Sequence, residues 1–482
     1  MNVDDSVVKA AGLRNRGKLQ KVVETGALVF SWIVMGMYAE VPGPTLIDLK
    51  YRLNTGYEEL AAALSARGFG TFPGCIVGGL LVDKFSGWSH LMVALTLDVA
   101  AVAVVLMPWV PNVQYIWMLC FVSGFVQAIH NAAGTRISLN IWKDKSASPL
   151  ILVHLGYGLG SFLTPLYSDP FLGEMIQNTR DSDITLNDTN NFRTTSISPD
   201  RSEETYYITN SKIEYAYAIS GIATASLSVA YFVFQMIENK FIKQADINSV
   251  QNKKVENELR NEIAIRKEKE LARDKESELR VKIKDGKCNK LKAMLQMINP
   301  ASCAKGRFWY GFSILSSMFF HFGNVGGGQY LVSQFVRSFS IDQLKFSSTD
   351  GTMINTSYWI SFSSGRFLFF VLAKWVSVKV LIFVETFGAM CCAVVMAIFA
   401  NDNSIALWVL IQLVAFFWGP MWPTGVAWTD YHMESTGMGM ASQMFGASVG
   451  SIFHKRLNGY LYDNIGQVTY LYHVTGSAVF GF

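Results

Sequence analysis

The chain has 482 residues, half of them apolar and only 16% charged, with a formal net charge of +4. Its apolar residues come in blocks of about 20, the length that crosses a bilayer as a helix, which excludes a soluble globular domain and points to a polytopic membrane protein. The basic residues sit in tails and loops, a distribution that fits a charge bias across a membrane and not a nucleic-acid surface.

Hydrocarbon offers no water to backbone N–H and C=O groups, so long apolar blocks without period-two alternation mean helices and not a barrel. The fold class expected is all-α. Residues 1–25 are polar and basic (Lys9, Arg14, Arg16, Lys18, Lys21), with neither the short apolar core nor the cleavage site of a signal peptide, and read as a cytoplasmic tail. Membrane helices are predicted at 26–48, 60–82, 89–110, 114–138, 149–168 and 213–237. A second set follows at 307–333, 354–373, 378–400, 404–428, 437–457 and 467–482. The last, about 16 residues long, is short for a span and reads as a truncated helix.

The chain thus divides into a tail (1–25), a first half (26–237), a linker (238–305) and a second half (306–482). The linker core, "ENELRNEIAIRKEKELARDKESELR", carries charges at spacings that allow i,i+4 pairs on a solvated helix. Its basic continuation, "KIKDGKCNKLKAML", is suited to contact anionic lipid or a cytoplasmic protein. An even number of crossings puts tail and linker on the same, cytoplasmic side of what is expected to be the plasma membrane. The loop 169–212 then lies outside, where Asn187 of the sequon Asn187-Asp188-Thr189 is a glycosylation candidate. A second sequon, Asn355-Thr356-Ser357, stands too near a helix start to be used. No cysteine falls in a segment read as outside, so no disulfide framework is expected.

The stretch "MGMYAEVPGPTLIDL" puts Glu40 in a run otherwise apolar enough for a membrane. An acid at the bilayer centre costs roughly 2.5 to 3.5 kcal/mol on insertion scales, so one that is present is a functional candidate. Pro42, Gly43 and Pro44 cannot all continue a helix, and broken backbone is tolerated only against protein or a wet cavity. The bland reading is an acid at a helix end that faces water. No P-loop, H-E-x-x-H or G-x-S-x-G motif and no close Cys/His metal spacing occurs, so neither an enzyme nor a cofactor is expected. Asp98 and Glu385 lie at comparable places in the two halves without an assignable partner. His454-Lys455-Arg456 covers most of a helix circumference with cations, so the three cannot all face a cavity.

Between helices two and three, "GGLLVDKFSG" supplies Gly79-x3-Asp83-Lys84, which resembles the hairpin motif of the major facilitator superfamily. The matching place in the second half, "SGRFLFFVLAKWVSVK", keeps Gly365 and Arg366 but lacks the acid. "VPGPTLIDL", "GGGQYLVSQF", "SSGRF" and "WPTG" resemble that superfamily's fucose, galactose and glucose symporter branch. The resemblance covers the membrane portion but neither the linker nor the loop 169–212. It implies two six-helix halves around a midplane cavity, moving a hexose, with glucose expected, by alternating access with Na+ or H+ as the coupling ion.

The branch carries an acid four residues before a proline in helix one, and Glu40 and Pro44 match that spacing. In helix four it usually has an acid where this chain has Asn131 and an amide where it has Thr135. An amide can bond a sugar hydroxyl but cannot titrate, which leaves neighbouring His130 as a second coupling candidate. Sugar recognition needs amides, hydroxyls and flat aromatic faces. Gln127, Asn131, Thr135, His154 with Tyr157, Asn324, Gln329, Trp418, Trp422 and Thr424 are the candidates. Arg67 and Arg136 are candidates for gate or hairpin partners, with snorkelling the simpler account of Arg136. An uncoupled carrier of another small polar nutrient and a transporter-like solute sensor remain open.

Overall fold

The computed structural model describes residues 18–142, 147–177, 206–268, 307–432 and 437–482. Helix α1 (Lys18–Glu40) starts well before the predicted helix and stops at the acid. Pro42 and Pro44 donate no amide hydrogen, and the chain crosses a turn in which Gly43 N bonds Glu40 O at 2.9 Å. It then resumes as the short helix α2 (Leu46–Leu53). The expected single helix over 26–48 is therefore two, divided where the prolines stand. Helices α3 (Tyr57–Lys84), α4 (Ser89–Leu106), α5 (Val113–Trp142) and α6 (Ala147–Ser168) follow.

The loop 169–212 is not wholly irregular. Strands β1 (Glu174–Gln177) and β2 (Tyr206–Thr209) pair antiparallel, with Glu174 opposite Thr209, a small departure from an all-helical chain. Helix α7 (Ile213–Glu268) runs without a break from the apolar segment into the charged one, so the start of the expected linker is the end of a membrane helix. The second set comprises α8 (Phe308–Asp342), α9 (Ser348–Leu372), α10 (Val378–Phe399), α11 (Ser404–Trp418), α12 (Met421–His432), α13 (Gly437–Asn464) and α14 (Thr469–Gly481). Gly419 and Pro420 separate α11 from α12 inside what reads as one apolar run. Seven of the described helices are long and apolar enough to cross a membrane.

Small residues set the packing. In lipid, apolar side chains gain little by meeting one another, so close approach of backbones supplies the contact energy. Gly70, Gly74 and Gly78 recur every fourth position on α3 against α5, and a Cβ on Gly70 would stand 1.9 Å from Phe121 O. Gly160 meets Ile33 O of α1 at the same distance, and Gly450 of α13 would meet Gly323 O of α8 at 1.8 Å. Each set thus packs internally through glycine seams.

The two sets meet along α3 with α13 and α6 with α9, and α2 touches α8. At the end marked by Tyr57, Tyr57 Oη donates to Asp342 Oδ2 at 2.8 Å. Beside it Glu58 N donates to Asp463 Oδ2 at 2.6 Å, and Asn464 Nδ2 donates to Glu58 Oε2 at 2.8 Å. These bonds seal the Tyr57 end.

Candidate functional site

Glu40 is the last residue of α1, 2% exposed, and its position follows from the proline break that ends the helix there. Its carboxylate accepts hydrogen bonds from Tyr157 Oη of α6 at 2.8 Å and Ser333 Oγ of α8 at 3.2 Å. The second bond crosses between the sets. Glu40 therefore does not face water at a helix end. Tyr157 Oη lies 3.4 Å from Tyr330 Oη, so two phenols from opposite sets meet over the carboxylate.

Two cations share this interior. Arg67 Nη2 donates to Tyr38 O at 3.4 Å, while its Nη1 has no hydrogen-bond partner among the described residues. Lys455 Nζ stands 4.5 Å from the centre of the Tyr330 ring and 3.5 Å from Leu64 O of α3. Among the described residues neither forms an ion pair with the Glu40 carboxylate, and Lys455 is linked to it through the Tyr330 and Tyr157 phenols. A carboxylate held by two hydroxyl donors thus shares a buried interior with an ammonium and a guanidinium, each of them costly to bury alone.

Lys455 belongs to the triplet that sequence left without an account. Helix α13 does not end there but continues to Asn464, and its three cations fan out to different partners. His454 Nδ1 pairs with His473 Nε2 at 3.0 Å inside the second set, and His473 Nδ1 lies 3.3 Å from Asn458 Oδ1. Arg456 Nε donates to Ser65 Oγ of α3 at 3.3 Å from an exposed position.

The remaining candidates are dispersed. His130 is buried in the first set, with Nε2 3.2 Å from Ser31 Oγ and its ring edge-on to Trp32. These contacts do not connect it to Glu40. Gln127, Asn131 and Thr135 lie four apart on one half-buried stripe of α5. His154 is exposed, against the edge of Trp32 at 5.7 Å. Gln329 is buried next to Tyr330, and Trp422 stands edge-on to Phe322 at 4.7 Å. Trp418 Nε1 donates to Val325 O at 3.1 Å.

Two of the expected substrate-contact residues have internal partners in this structure. Asn324 Nδ2 donates to Ser477 O at 2.9 Å and its Oδ1 accepts from Ser477 Oγ at 2.6 Å, so its amide is satisfied by α14. Thr424 Oγ1 donates to Glu385, which supplies the partner that Glu385 lacked in the sequence. Its counterpart Asp98 accepts from Ser228. A membrane-buried polar group takes the nearest partner, whether or not it also looks suited to a ligand.

At the hairpin, Gly79, Asp83 and Lys84 are exposed, and a Cβ on Gly79 would meet nothing within 4 Å. The glycine in close helix contact is the preceding one: a Cβ on Gly78 would lie 3.0 Å from Ile129 Cα. In the second half Gly365 does allow close approach, to Phe416 O, and Arg366 Nε donates to Gly419 O at 2.8 Å. Asn187 and the basic end of the linker lie outside the described residues. Sequence reasoning missed Tyr330, Ser333 and Lys455 as companions of Glu40. The run "GGGQYLVSQF" contained the first two, but nothing local aimed them at an acid 290 positions away.

A family model described as Major Facilitator Superfamily matches residues 204–453. The chain is 22% identical over 430 residues to sodium-dependent glucose transporter 1 of Homo sapiens, covering 88% of this chain and 71% of that one. It is 20% identical over 457 residues to sodium-dependent glucose transporter 1A of Mus musculus, covering 93% and 92%. Among solved structures, the xylose transporter XylE from E. coli, in a partially occluded inward open conformation, aligns with a TM-score of 0.59 at 12% identity, over 96% of this chain and 97% of that one. The nucleoside transporter NupG aligns with the same TM-score of 0.59 at 11% identity, over 95% and 97%. The proteins matched are transporters and not enzymes.

Proposed function

Because the chain belongs to the Major Facilitator Superfamily, we propose that it carries a hexose, D-glucose first among them, across the membrane by alternating access, with a cation held at Glu40 as the coupling ion. The halves are 26–237 and 306–482, joined by the charged linker, and the Tyr57 end faces outward in the plasma membrane with Asn187 open to glycosylation. The observation that carries this reading is the cross-set bond from Ser333 to a buried Glu40. When the sets part at this end, the carboxylate loses that donor and is free to take a cation along with the solute. The names of the relatives support glucose as solute and sodium as ion.

The test is uptake of labelled D-glucose into vesicles bearing the chain, with inward Na+ or H+ gradients. Accumulation above equilibrium in one gradient is expected, and Glu40→Gln should abolish accumulation while leaving exchange. Undiminished accumulation by Glu40→Gln would sink the role of Glu40. A second reading, an uncoupled carrier, is favoured by the amide Asn131 on the half-buried stripe of α5. It requires equilibration without accumulation in either gradient, and saturable binding without flux would point to a sensor.

A further inference from the structure

Of the three charges at the site, Glu40 and Arg67 belong to the first set and Lys455 to the second. Arg67 is tied by its bond to Tyr38 O, two residues before Glu40 on the same helix, and so accompanies the carboxylate however the sets move. Lys455 is tied across the boundary, to Leu64 O of the first set and over the Tyr330 ring of its own. In this structure, with the sets tied at the Tyr57 end, it lies over the ring whose hydroxyl meets Tyr157 Oη, the donor to Glu40. The other groups that face the cluster are Tyr38 of α1, Cys120 of α5, Tyr157 of α6, Tyr330 and Ser333 of α8, and Tyr358 and Arg366 of α9, the last a second-set cation held to Gly419 O of its own set, so that its bond does not cross the boundary.

From this arrangement we propose that Lys455 evicts the coupling cation: sealing the Tyr57 end brings its ammonium beside Glu40, where it competes with the bound cation and drives that cation out toward the opposite face. The inference rests on the reading of Glu40 as the cation carrier and adds the reason why the cation leaves. A carboxylate that held its cation equally well in both states would load from either side alike. Arg67 stays with the carboxylate in both states and cannot distinguish them, whereas a lysine delivered by the opposite half adds a like charge in one state only and so makes cation affinity depend on the state. The gradients still set the direction of net transport, and the side chain sets how readily the cation is released on one side relative to the other.

Lys455→Met keeps the side chain's length and apolar stem and removes its charge. In vesicles preloaded with graded Na+ or H+, net uptake of labelled D-glucose by this variant should be inhibited at internal cation concentrations at least tenfold lower than for the parent. Glucose exchange at saturating cation on both sides, measured in parallel, normalises each variant's internal-cation curve to the amount of working carrier. Lys455→Arg, which keeps the charge, should retain the parent's sensitivity to internal cation. Unchanged sensitivity in Lys455→Met overturns the proposal, as does a Lys455→Arg variant that exchanges glucose yet has lost the parent's asymmetry. Should Lys455→Met fail to reach the membrane, Lys455→Gln takes its place with the same two readouts. If Glu40→Gln leaves cation-driven accumulation intact, the underlying reading fails instead, and that outcome is separable because it appears with Lys455 unaltered.

Discussion

The Tyr57 hydroxyl donates to Asp342 Oδ2 at 2.8 Å and thereby joins the two sets of helices at their sealed end. Tyr462 donates to the same oxygen at 3.0 Å, but from within the second set. The two phenols are chemically alike and differ only in whether their bond must break when the sets separate. A hydrogen bond to a charged acceptor contributes about 1.5 to 3 kcal/mol, enough to shift a two-state balance roughly tenfold or more. Tyr57→Phe should therefore expose the interface, and Tyr462→Phe should do so far less. The measurement is labelling by an impermeant maleimide of a cysteine placed at Ser338, which is fully buried, on a background lacking the native cysteines. Equal labelling of the two variants would show that the Tyr57 bond is not a gate.

The glycine seams make a second contrast. Ala at Gly70 would drive its Cβ to 1.9 Å from Phe121 O, whereas Ala at Gly476 would meet nothing within 4 Å. Overpacking of a tight contact costs about 1 to 3 kcal/mol, while Gly to Ala in an open helical position gains up to about 1 kcal/mol. In detergent, Gly70→Ala should lower the unfolding temperature and Gly476→Ala should hold or raise it. A Gly70→Ala protein as stable as the parent would mean that α3 and α5 are not in backbone contact.

Asn324 gives the means to separate a structural amide from a ligand-binding one. Both of its polar atoms are engaged by Ser477, 153 positions away. Asn324→Ala leaves two buried groups of α14 without their partners, a loss of about 1 to 3 kcal/mol each at most. The variant should unfold at lower temperature, while the glucose concentration at half-maximal exchange stays that of the parent. A changed half-saturation with unchanged stability would return Asn324 to the binding site.

These cases show where sequence stops being informative. The break after Glu40 was legible because proline acts on its own backbone, and the helices were legible because hydrophobic blocks of span length are a local property. The partners of Glu40 were not. Ser333 stands 293 positions away, and Lys455 reaches a carbonyl 391 positions away. The His454-Lys455-Arg456 triplet looked incompatible with one helix because three cations were weighed against one environment. The fold supplies three: an imidazole within the set, a carbonyl and ring across the boundary, and an exposed edge. Gly79 was preferred to Gly78 because the motif was read from spacing, and spacing does not say which of two adjacent glycines turns toward a neighbouring helix.

Glu385 and Thr424 close the comparison. Glu385 is fully buried in α10, with Oε2 bonded to Thr424 and Oε1 without a hydrogen-bond partner among the described residues. A carboxyl group so placed depends on its one hydroxyl donor. Thr424→Val, which keeps the shape and removes the hydroxyl, should therefore be strongly destabilising in the parent, because it leaves the whole carboxyl group unpaired. In a Glu385→Gln background the amide brings N–H donors of its own to seek other partners, and the same change should cost less. The coupling between contacting sites of this kind is about 0.5 to 3 kcal/mol, so the two Thr424→Val effects on unfolding temperature should differ by several degrees. Equal effects in the two backgrounds would show that Thr424 does not support Glu385, and would reopen that hydroxyl as a group available to the solute.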